Sequence, residues 1–485
     1  MNKAYFRYLF RSHRSLILFF LVLYLCISLM WSAASGAEEG FGFFASANGA
    51  IGFSVLLTWI LPVLLFSFVH RRSSADMYLS LPISRRQQRI TSIAFAFVIS
   101  FGYYLITILA AWLLYGVGTV RLLNLALLIG YAAFAILTLL AVHSFIFLIA
   151  NNWIDGIVLL AAYSFFVLIA FITEGMVADN LIAGMEYGNS QMVWLLSPLN
   201  AVIHNYEYLL ARNGWIDAEL RPLYLLASVI YLAAGWFGTK QEFDHRKSER
   251  AEMISDHPLA YPTVINLYAF TFLLLFSSTL VRYRDPGILL FYVLLLGCYV
   301  GGTFLYQRKL AVSWKTILLF CGEALLSLVI MIAGWNTYGF RKAVDYSLSE
   351  GDTLVYDYFG NVYSNDLGKE CTDYDYSVSV SFVLNLPTAD LEQNKAVLDV
   401  IEAHRIDRIH AYYARIEEDR RCSLNVRNES HGNGFNQFFY SGIAPFTEEE
   451  LKLISKYCEV WVNDYNHDDW EETQFELNEY LKLRS

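Results

Sequence analysis

MNKAYFRYLFRSHRSLILFFLVLYLCISLMWSAASG, residues 1–36, has the basic head, apolar run and small-residue end of a secretory signal peptide, and how it is read sets the sidedness of everything after it. The apolar run from Leu16 to Ala34 decides the matter. It is long enough to cross a bilayer, whereas a signal-peptide core has roughly 7 to 15 apolar residues. We take it as the first membrane helix. Ahead of it, Lys3, Arg7, Arg11 and Arg14 recur at helical spacing on one face, and Tyr5, Phe6, Leu9 and Phe10 supply much of the rest. That pattern predicts an amphipathic arm lying along the cytoplasmic interface, beyond the anchoring that its positive charge alone would give.

Working outward, 56% of the 485 residues are hydrophobic and 16% charged, and long apolar runs recur through the first two thirds, which predicts a multispan membrane protein. Further spans are expected at 49–69, 91–115, 123–149, 157–173, 220–239, 262–281, 286–306 and 316–336, about nine in all. The segment 174–219 holds apolar pieces such as MVWLLSPLNAVI, too short to cross, and is expected to form short half-buried helices. The net charge of -10 averages two unlike regions: residues 341–485 hold 28 Asp and Glu against 14 Lys and Arg, so the first 340 residues are net basic. Of the 21 basic residues before position 341, 16 fall on one side of a nine-span arrangement and 5 on the other. The positive-inside rule then places the N-terminus in the cytoplasm and the acidic tail outside.

The richest basic loop is HRRSSADMYLSLPISRRQQRI, His70 to Ile90. SSADMYLSL reads as a short helix stopped by Pro82, because the residue before a proline is disfavoured in the helical region. Ser84 stands three residues before Gln87, the spacing of a capping box, so a second helix is expected from Arg85 into the third span. A short helix and a membrane helix joined by a tight Leu81-Pro82 corner would move together.

The order of basic arm, two spans, RRSSADMYLSLPISRRQ, two spans with the turn NNWIDG, a fifth span, an outer segment with LLSPLNAVI and a sixth span resembles the six-span ABC-2-type permease subunits of bacterial ATP-binding-cassette exporters. The match to the family's SLP-small-SR motif is carried by Ser80, Leu81, Pro82, Ser84 and Arg85, and the resemblance covers residues 1–240. It implies that Ser73, Ser74, Asp76, Met77, Tyr78, Leu79, Ser80 and Leu81 form a coupling helix docking on a separate ATPase, with the 150–156 turn as a second contact. It also implies a second permease copy or paralogue, a location in the bacterial cell membrane, and no nucleic-acid partner. The chain has no GxxxxGK[ST] motif, so ATP would be bound by the partner subunit and no cofactor by this chain. Three spans over 241–340 depart from the six-span pattern; some Gram-positive permeases carry such spans with an extracytoplasmic domain.

Other candidates are sparser. Glu323, in ILLFCGEALLSLVIMIAGW, would cost about 2.5 to 3.5 kcal/mol in lipid and should face protein or water, as a structural carboxyl or in a substrate or conformational role. His143 is expected as a hydrogen-bonded helix contact, and Gly297 with Gly301 forms a GxxxG that permits close packing. In the tail, YSVSVSFVLNL alternates like a strand, residues 391–416 read as a helix, CSLNVRNESHGNGFNQFFYSGI as a strand pair, and Thr447 as the cap of a further helix. An α+β domain over 341–485 follows. His404, Asp407 and His410 share neighbouring helix faces without making a convincing metal site. NDYNHDDWEE starts like a calcium loop at Asp464, Asn466 and Asp468, but Asp469 replaces the glycine and Phe475 the closing glutamate. Tyr356, Tyr358, Tyr374 and Tyr376 stand beside acids, as a surface for a cationic or amphiphilic ligand or simply as solvated surface. Six cysteines, Cys26, Cys298, Cys321, Cys371, Cys422 and Cys458, show no ligand spacing; one tail disulfide is compatible with them.

The expected fold is thus an all-α polytopic membrane protein of about nine transmembrane helices, followed by a small α+β extracytoplasmic domain. The expected function is transport, without an enzyme site of its own. The competing reading is a membrane sensor whose outer domain binds a ligand and signals through a partner. A membrane-embedded enzyme would need a polar cluster that Glu323 and His143 do not make.

Overall fold

In a computed structural model, the described residues are 2–34, 41–116, 120–184, 193, 195–211, 222–255, 257–310, 313–344, 353–362, 376–385, 391–416, 422–428, 438–443, 447, 449–450, 452–453, 460–465 and 472–475. The helices are α1 Lys3–Ala34, α2 Phe41–Phe66, α3 Arg72–Leu79, α4 Arg85–Ala111, α5 Leu122–Ile149, α6 Trp153–Leu181, α7 Pro198–Ala211, α8 Pro222–Asp244, α9 Tyr261–Tyr283, α10 Ile288–Gln307, α11 Trp314–Asn336 and α12 Leu391–Ala414. Among the described residues, eight helices, α2, α4, α5, α6, α8, α9, α10 and α11, are long and apolar enough to cross a membrane. Each coincides with one of the spans expected after the first. The first expected span lies within α1, a single helix of 32 residues, roughly 48 Å long.

Two results differ from the sequence reading. The arm is not a separate interfacial helix: it continues without a break into the Leu16–Ala34 run, and its Tyr5 and Leu9 are 3% and 4% exposed. Phe6 meets the Phe95 ring edge-on at 5.4 Å, and the Asn2 N–H donates to Thr91 Oγ1 at 3.0 Å. Packing on α4 covers an aromatic face that would otherwise need lipid. The second difference is α6, which runs eight residues past the expected end at 173. Its polar last turn is held by partners: Asn180 Nδ2 donates to Ser278 Oγ and Thr279 Oγ1, and Asp179 pairs with Arg282 at 3.2 Å.

The chain divides into two units. The first comprises Met1–Ala170, Gln191–Tyr268 and Tyr299–Val312. At its centre lies α5, whose Leu128, Ala132, Ala135, Ile136 and Ala141 are completely buried. Helix α8 meets it through small residues. A Cβ on Gly235 would lie 2.6 Å from the Val142 nitrogen, and Thr239 Oγ1 donates to the Ala141 carbonyl at 3.1 Å, so the two backbones touch. By contrast, Cβ atoms on Gly297 and Gly301 would meet nothing within 4 Å, so that GxxxG mediates no close contact among the described residues.

In α7, Pro198 occupies the first helical position and Ser197 Oγ accepts from the Asn200 N–H. Tyr206, fully buried, donates to the Ala47 carbonyl and shares a hydrogen bond with Tyr104. Tyr231 OH donates to the Leu195 carbonyl, although Tyr231 lies about 13 Å along α8 from its start. The short helix is thus tied to α8 at its leading end and to α2 and α4 through Tyr206.

The second unit comprises Phe171–Ser190, Ala269–Cys298 and Ser313–Ser485. Ser277 Oγ shares hydrogen bonds with Ser327 Oγ at 2.8 Å and Tyr292 OH at 2.6 Å. Six strands, β1 Thr353–Val362, β2 Tyr376–Asn385, β3 Cys422–Asn428, β4 Phe438–Ile443, β5 Val460–Tyr465 and β6 Glu472–Phe475, pair antiparallel in the order β4-β3-β1-β2-β5-β6. The central strand β1 sets Thr353 opposite Asn385 of β2 and Leu354 opposite Asn428 of β3.

The C-terminal half of α12 docks on helix ends. Tyr413 OH donates to the Leu181 carbonyl at 2.7 Å, Tyr412 OH to those of Asp179 and Asn180, and Arg415 Nη2 to that of Val281 at 2.6 Å. Arg405 donates to the Ala343 and Val344 carbonyls, and the Arg415 guanidinium stacks 4.7 Å over the Trp335 ring.

Candidate functional site

The corner between α3 and α4 is built locally. Ser84 is extended, and its Oγ accepts from the Gln87 N–H at 3.3 Å, the first half of the expected capping box. The Ser80 N–H closes on the Asp76 carbonyl at 3.1 Å, and the Gln88 amide donates to the Tyr78 carbonyl at 2.7 Å, tying the end of α3 to the first turn of α4. Leu81 is half-buried and Pro82 exposed at the corner itself.

Helix α3 has two unlike faces. Ala75 is completely buried, Tyr78 lies 4.5 Å from the Phe68 ring, and Tyr78 OH shares a 2.9 Å hydrogen bond with Tyr8 OH of α1. Burial, with the Tyr8 hydroxyl beside it, pushes the Tyr78 phenol up to about 12, so it remains a neutral hydrogen-bonding group. Ser74 and Leu79 are half-buried. Ser73, Asp76, Met77 and Ser80, spaced three, one and three residues apart, form the exposed face. Of the expected docking residues, Tyr78 therefore holds the helix onto its own chain, and the surface offered outward is carried by the other four.

Behind the corner lies a polar clamp. Arg85 is half-buried and donates to the Asp244 and Arg246 carbonyls at the end of α8. Arg89, 2% exposed, pairs with Asp244 through two bonds of 3.1 and 3.3 Å and lies 5.5 Å from the Trp236 ring. Arg246, 3% exposed, donates to the Leu148 carbonyl at 2.6 Å and the Ala150 carbonyl at 2.8 Å, filling the acceptor end of α5. Burial lowers its pKa to about 10, with Glu242 opposing the shift and Arg250 adding to it, so the guanidinium stays charged at neutral pH.

Asn151 Nδ2 donates to the Ile254 carbonyl and Ser255 Oγ to that of Ile149; Arg72 Nε reaches the Ala251 carbonyl at 3.3 Å. Asp155 accepts from Tyr261 OH at 2.9 Å and lies 3.9 Å from Arg308. Every segment placed inside by the charge count (the arm, the 70–90 loop, the 150–156 turn, 240–255 and Arg308) thus meets another of them at one end of this unit.

Sequence reasoning counted Arg89 and Arg246 only as members of a charge excess, and did not single out Asp244, Asn151 or Ser255. The available signal was an acid at the end of α8 inside a basic segment. Its partner, however, lies 155 residues away in sequence.

The remaining candidates stand apart. Glu323 is half-buried on α11, its Oε2 buried and without a hydrogen-bond partner among the described residues. His143 is a contact between α5 and α2, its Nδ1 lying 3.1 Å from Thr58 Oγ1 and 3.2 Å from the Thr58 carbonyl. His404 pairs with Glu450 at 3.3 Å while His410 stacks on Tyr338, and no group of three metal-ligating side chains occurs among the described residues. Glu450 in turn accepts from the Thr447 N–H, and the Glu450 N–H donates to Thr447 Oγ1, a reciprocal capping box. Tyr374, Asn466, Asp468, Asp469, Cys371 and Cys458 lie outside the described residues. No family model, no curated protein and no solved structure gives a significant match to this chain.

Proposed function

We propose that the chain is the permease subunit of an ATP-binding-cassette transporter, coupling ATP hydrolysis by a separate ATPase to export of a hydrophobic or amphiphilic substrate such as a peptide, an antibiotic or a lipid. The observation that carries this reading is the two-faced α3: Ser73, Asp76, Met77 and Ser80 face outward, while Ala75, Tyr78 and the Gln88 bond fix the helix to the chain behind it. A short helix held in this way transmits a pull as a rigid body. Through Arg85, Arg89 and Arg246 the pull reaches the ends of α5 and α8. In this reading residues 1–240 form the six-span permease domain, 241–340 the additional spans, and 341–485 an α+β extracytoplasmic domain. The N-terminus is cytoplasmic, the membrane is that of a bacterial cell, and a second permease copy or paralogue completes the pathway.

The test is purification of the full-length chain from its native membranes. We expect an ATPase with a phosphate-binding loop to co-purify and to hydrolyse ATP. Met77→Asp combined with Asp76→Lys should remove it at an unchanged melting temperature, because both side chains are exposed. Retention of the ATPase by that variant would remove α3 from the coupling role.

One observation favours the sensor reading. The docking of Tyr412, Tyr413 and Arg415 on the ends of α6 and α9 would carry a ligand-induced shift of α12 into those helices. A chain that purifies with no ATPase but with a cytoplasmic signalling partner would decide for it.

A further inference from the structure

Within the first unit, α2, α5, α6, α8 and the leading end of α7 line a half-open cavity of about 840 Å³, with Leu56, Phe165, Leu168 and Leu196 of its lining exposed. Its volume falls within the range of small-molecule sites, roughly 300 to 1,000 Å³. Among the described residues, no Asp, Glu, Lys or Arg lines it.

The polar atoms in its wall are arranged with one bias. Trp59 Nε1–H donates to Ser164 Oγ, Ser164 Oγ–H to the Leu160 carbonyl, Tyr163 OH to the Leu259 carbonyl and Tyr231 OH to the Leu195 carbonyl. These four donors are therefore already engaged; the Ser197 hydroxyl, which accepts from the Asn200 N–H, is a fifth hydroxyl or N–H group in the wall. His143 has the opposite character. A carbonyl can only accept, so the 3.2 Å contact with the Thr58 carbonyl places the proton on Nδ1, while Thr58 Oγ1 donates to the Val55 carbonyl. The neutral ring then presents Nε2 as an acceptor at the cavity wall.

We propose that this cavity binds an uncharged single-chain amphiphile bearing a hydroxyl group, with the chain against the apolar wall and the hydroxyl donating to His143 Nε2. Among the described residues of the wall a carboxylate would find no positive charge, and an ammonium no acid. The proposal concerns binding and does not require the chain to be a permease.

The test uses full-length protein in nanodiscs and a photoreactive sixteen-carbon alcohol, with the matching fatty acid as control. The alcohol should label peptides of α2, α5 or α6, be competed by hexadecanol, and label at least five-fold more than the acid. Gly52 lines the cavity, and a Cβ there would meet nothing within 4 Å, so Gly52→Phe should fill the space and cut labelling at least five-fold. Should that variant fail to fold, Ala234→Phe fills the cavity from α8 and carries the same expectation. His143→Leu should keep labelling by the matching alkane probe while removing the preference for the alcohol. Wild-type labelling of the filled variants, or equal labelling by alcohol and acid, overturns the proposal. A stoichiometric hydroxylated lipid extracted from freshly purified wild-type protein would identify the source as the bilayer; an empty cavity that takes added alcohol would identify it as a molecule supplied from elsewhere.

Discussion

The clamp behind α3 and the docking of α12 solve the same problem with different chemistry. Each supplies donors to carbonyls left open at the ends of long helices: Leu148 and Ala150 in one, Leu181 and Val281 in the other. The clamp uses buried charge, with Arg246 and Arg89 almost completely enclosed and Asp244 as counter-ion. The α12 contact relies chiefly on tyrosine hydroxyls and aromatic faces, with the Arg415 guanidinium over Trp335. A buried ion pair is costly to break, because whichever charge remains is stranded. A neutral hydrogen bond is cheaper to lose. The clamp should therefore open as one piece or not at all, and the α12 contact should yield bond by bond.

Four variants measure that contrast. Asp244→Ala leaves Arg89 buried without its carboxylate and should cost about 3 to 5 kcal/mol, read as loss of unfolding stability of the purified chain. The double variant Arg89→Met with Asp244→Leu should recover part of it, and an additive double would show that the pair is not a unit. Arg246→Lys keeps the charge but cannot fork to two carbonyls, and should cost about 1 to 3 kcal/mol. Tyr413→Phe removes two neutral bonds, the one its hydroxyl donates to the Leu181 carbonyl and the one it accepts from the Ala183 N–H, about 0.5 to 1.5 kcal/mol each, with faster amide exchange confined to the end of α6 and to α12.

The smallest effect is a pH response at Glu450. Partial burial disfavours its charge, but hydrogen bonds from the Thr447 N–H and hydroxyl and from His404 outweigh that and hold its pKa below the usual carboxylate value. A depressed carboxylate contributes stability that is present above its unfolded pKa and lost as pH falls through the folded one. Amide protection around Thr447 and Glu450, taken relative to the intrinsic exchange rate at each pH, should therefore be constant well above pH 4.5 and fall below it, and Glu450→Gln should abolish that fall.

What could be read from the sequence was what is encoded locally. Long apolar runs placed eight helices because the cost of unpaired backbone in lipid leaves an apolar segment of that length little alternative. Ser84, Pro82 and Gln87 located the corner because caps and helix stops act within a few residues. The end of α6 was missed because Glu174 and Asp179 look like a loop until Arg282, a hundred residues on, takes up the charge. The clamp was missed for the same reason: Arg89 and Asp244 are individually ordinary, and only the packing of α4 beside α8 makes them partners. Gly297 and Gly301 carried the small-residue motif, whereas the close backbone approach is made by Gly235 and Thr239. NDYNHDDWEE, measured only against a metal loop, begins inside β5, and its last residue is the first of β6.

The unbroken α1 also bears on how the protein is made. Asn2, Phe6 and Tyr24 meet groups that follow much later in the chain, Thr91, Phe95 and Tyr103 respectively. At about 5 to 20 residues per second, a ribosome that has just finished Leu9 needs on the order of 4 to 17 s to reach Phe95. Through that interval the arm lacks the α4 groups it packs on in the folded protein. The arm therefore takes up its packed position only after α4 has been made.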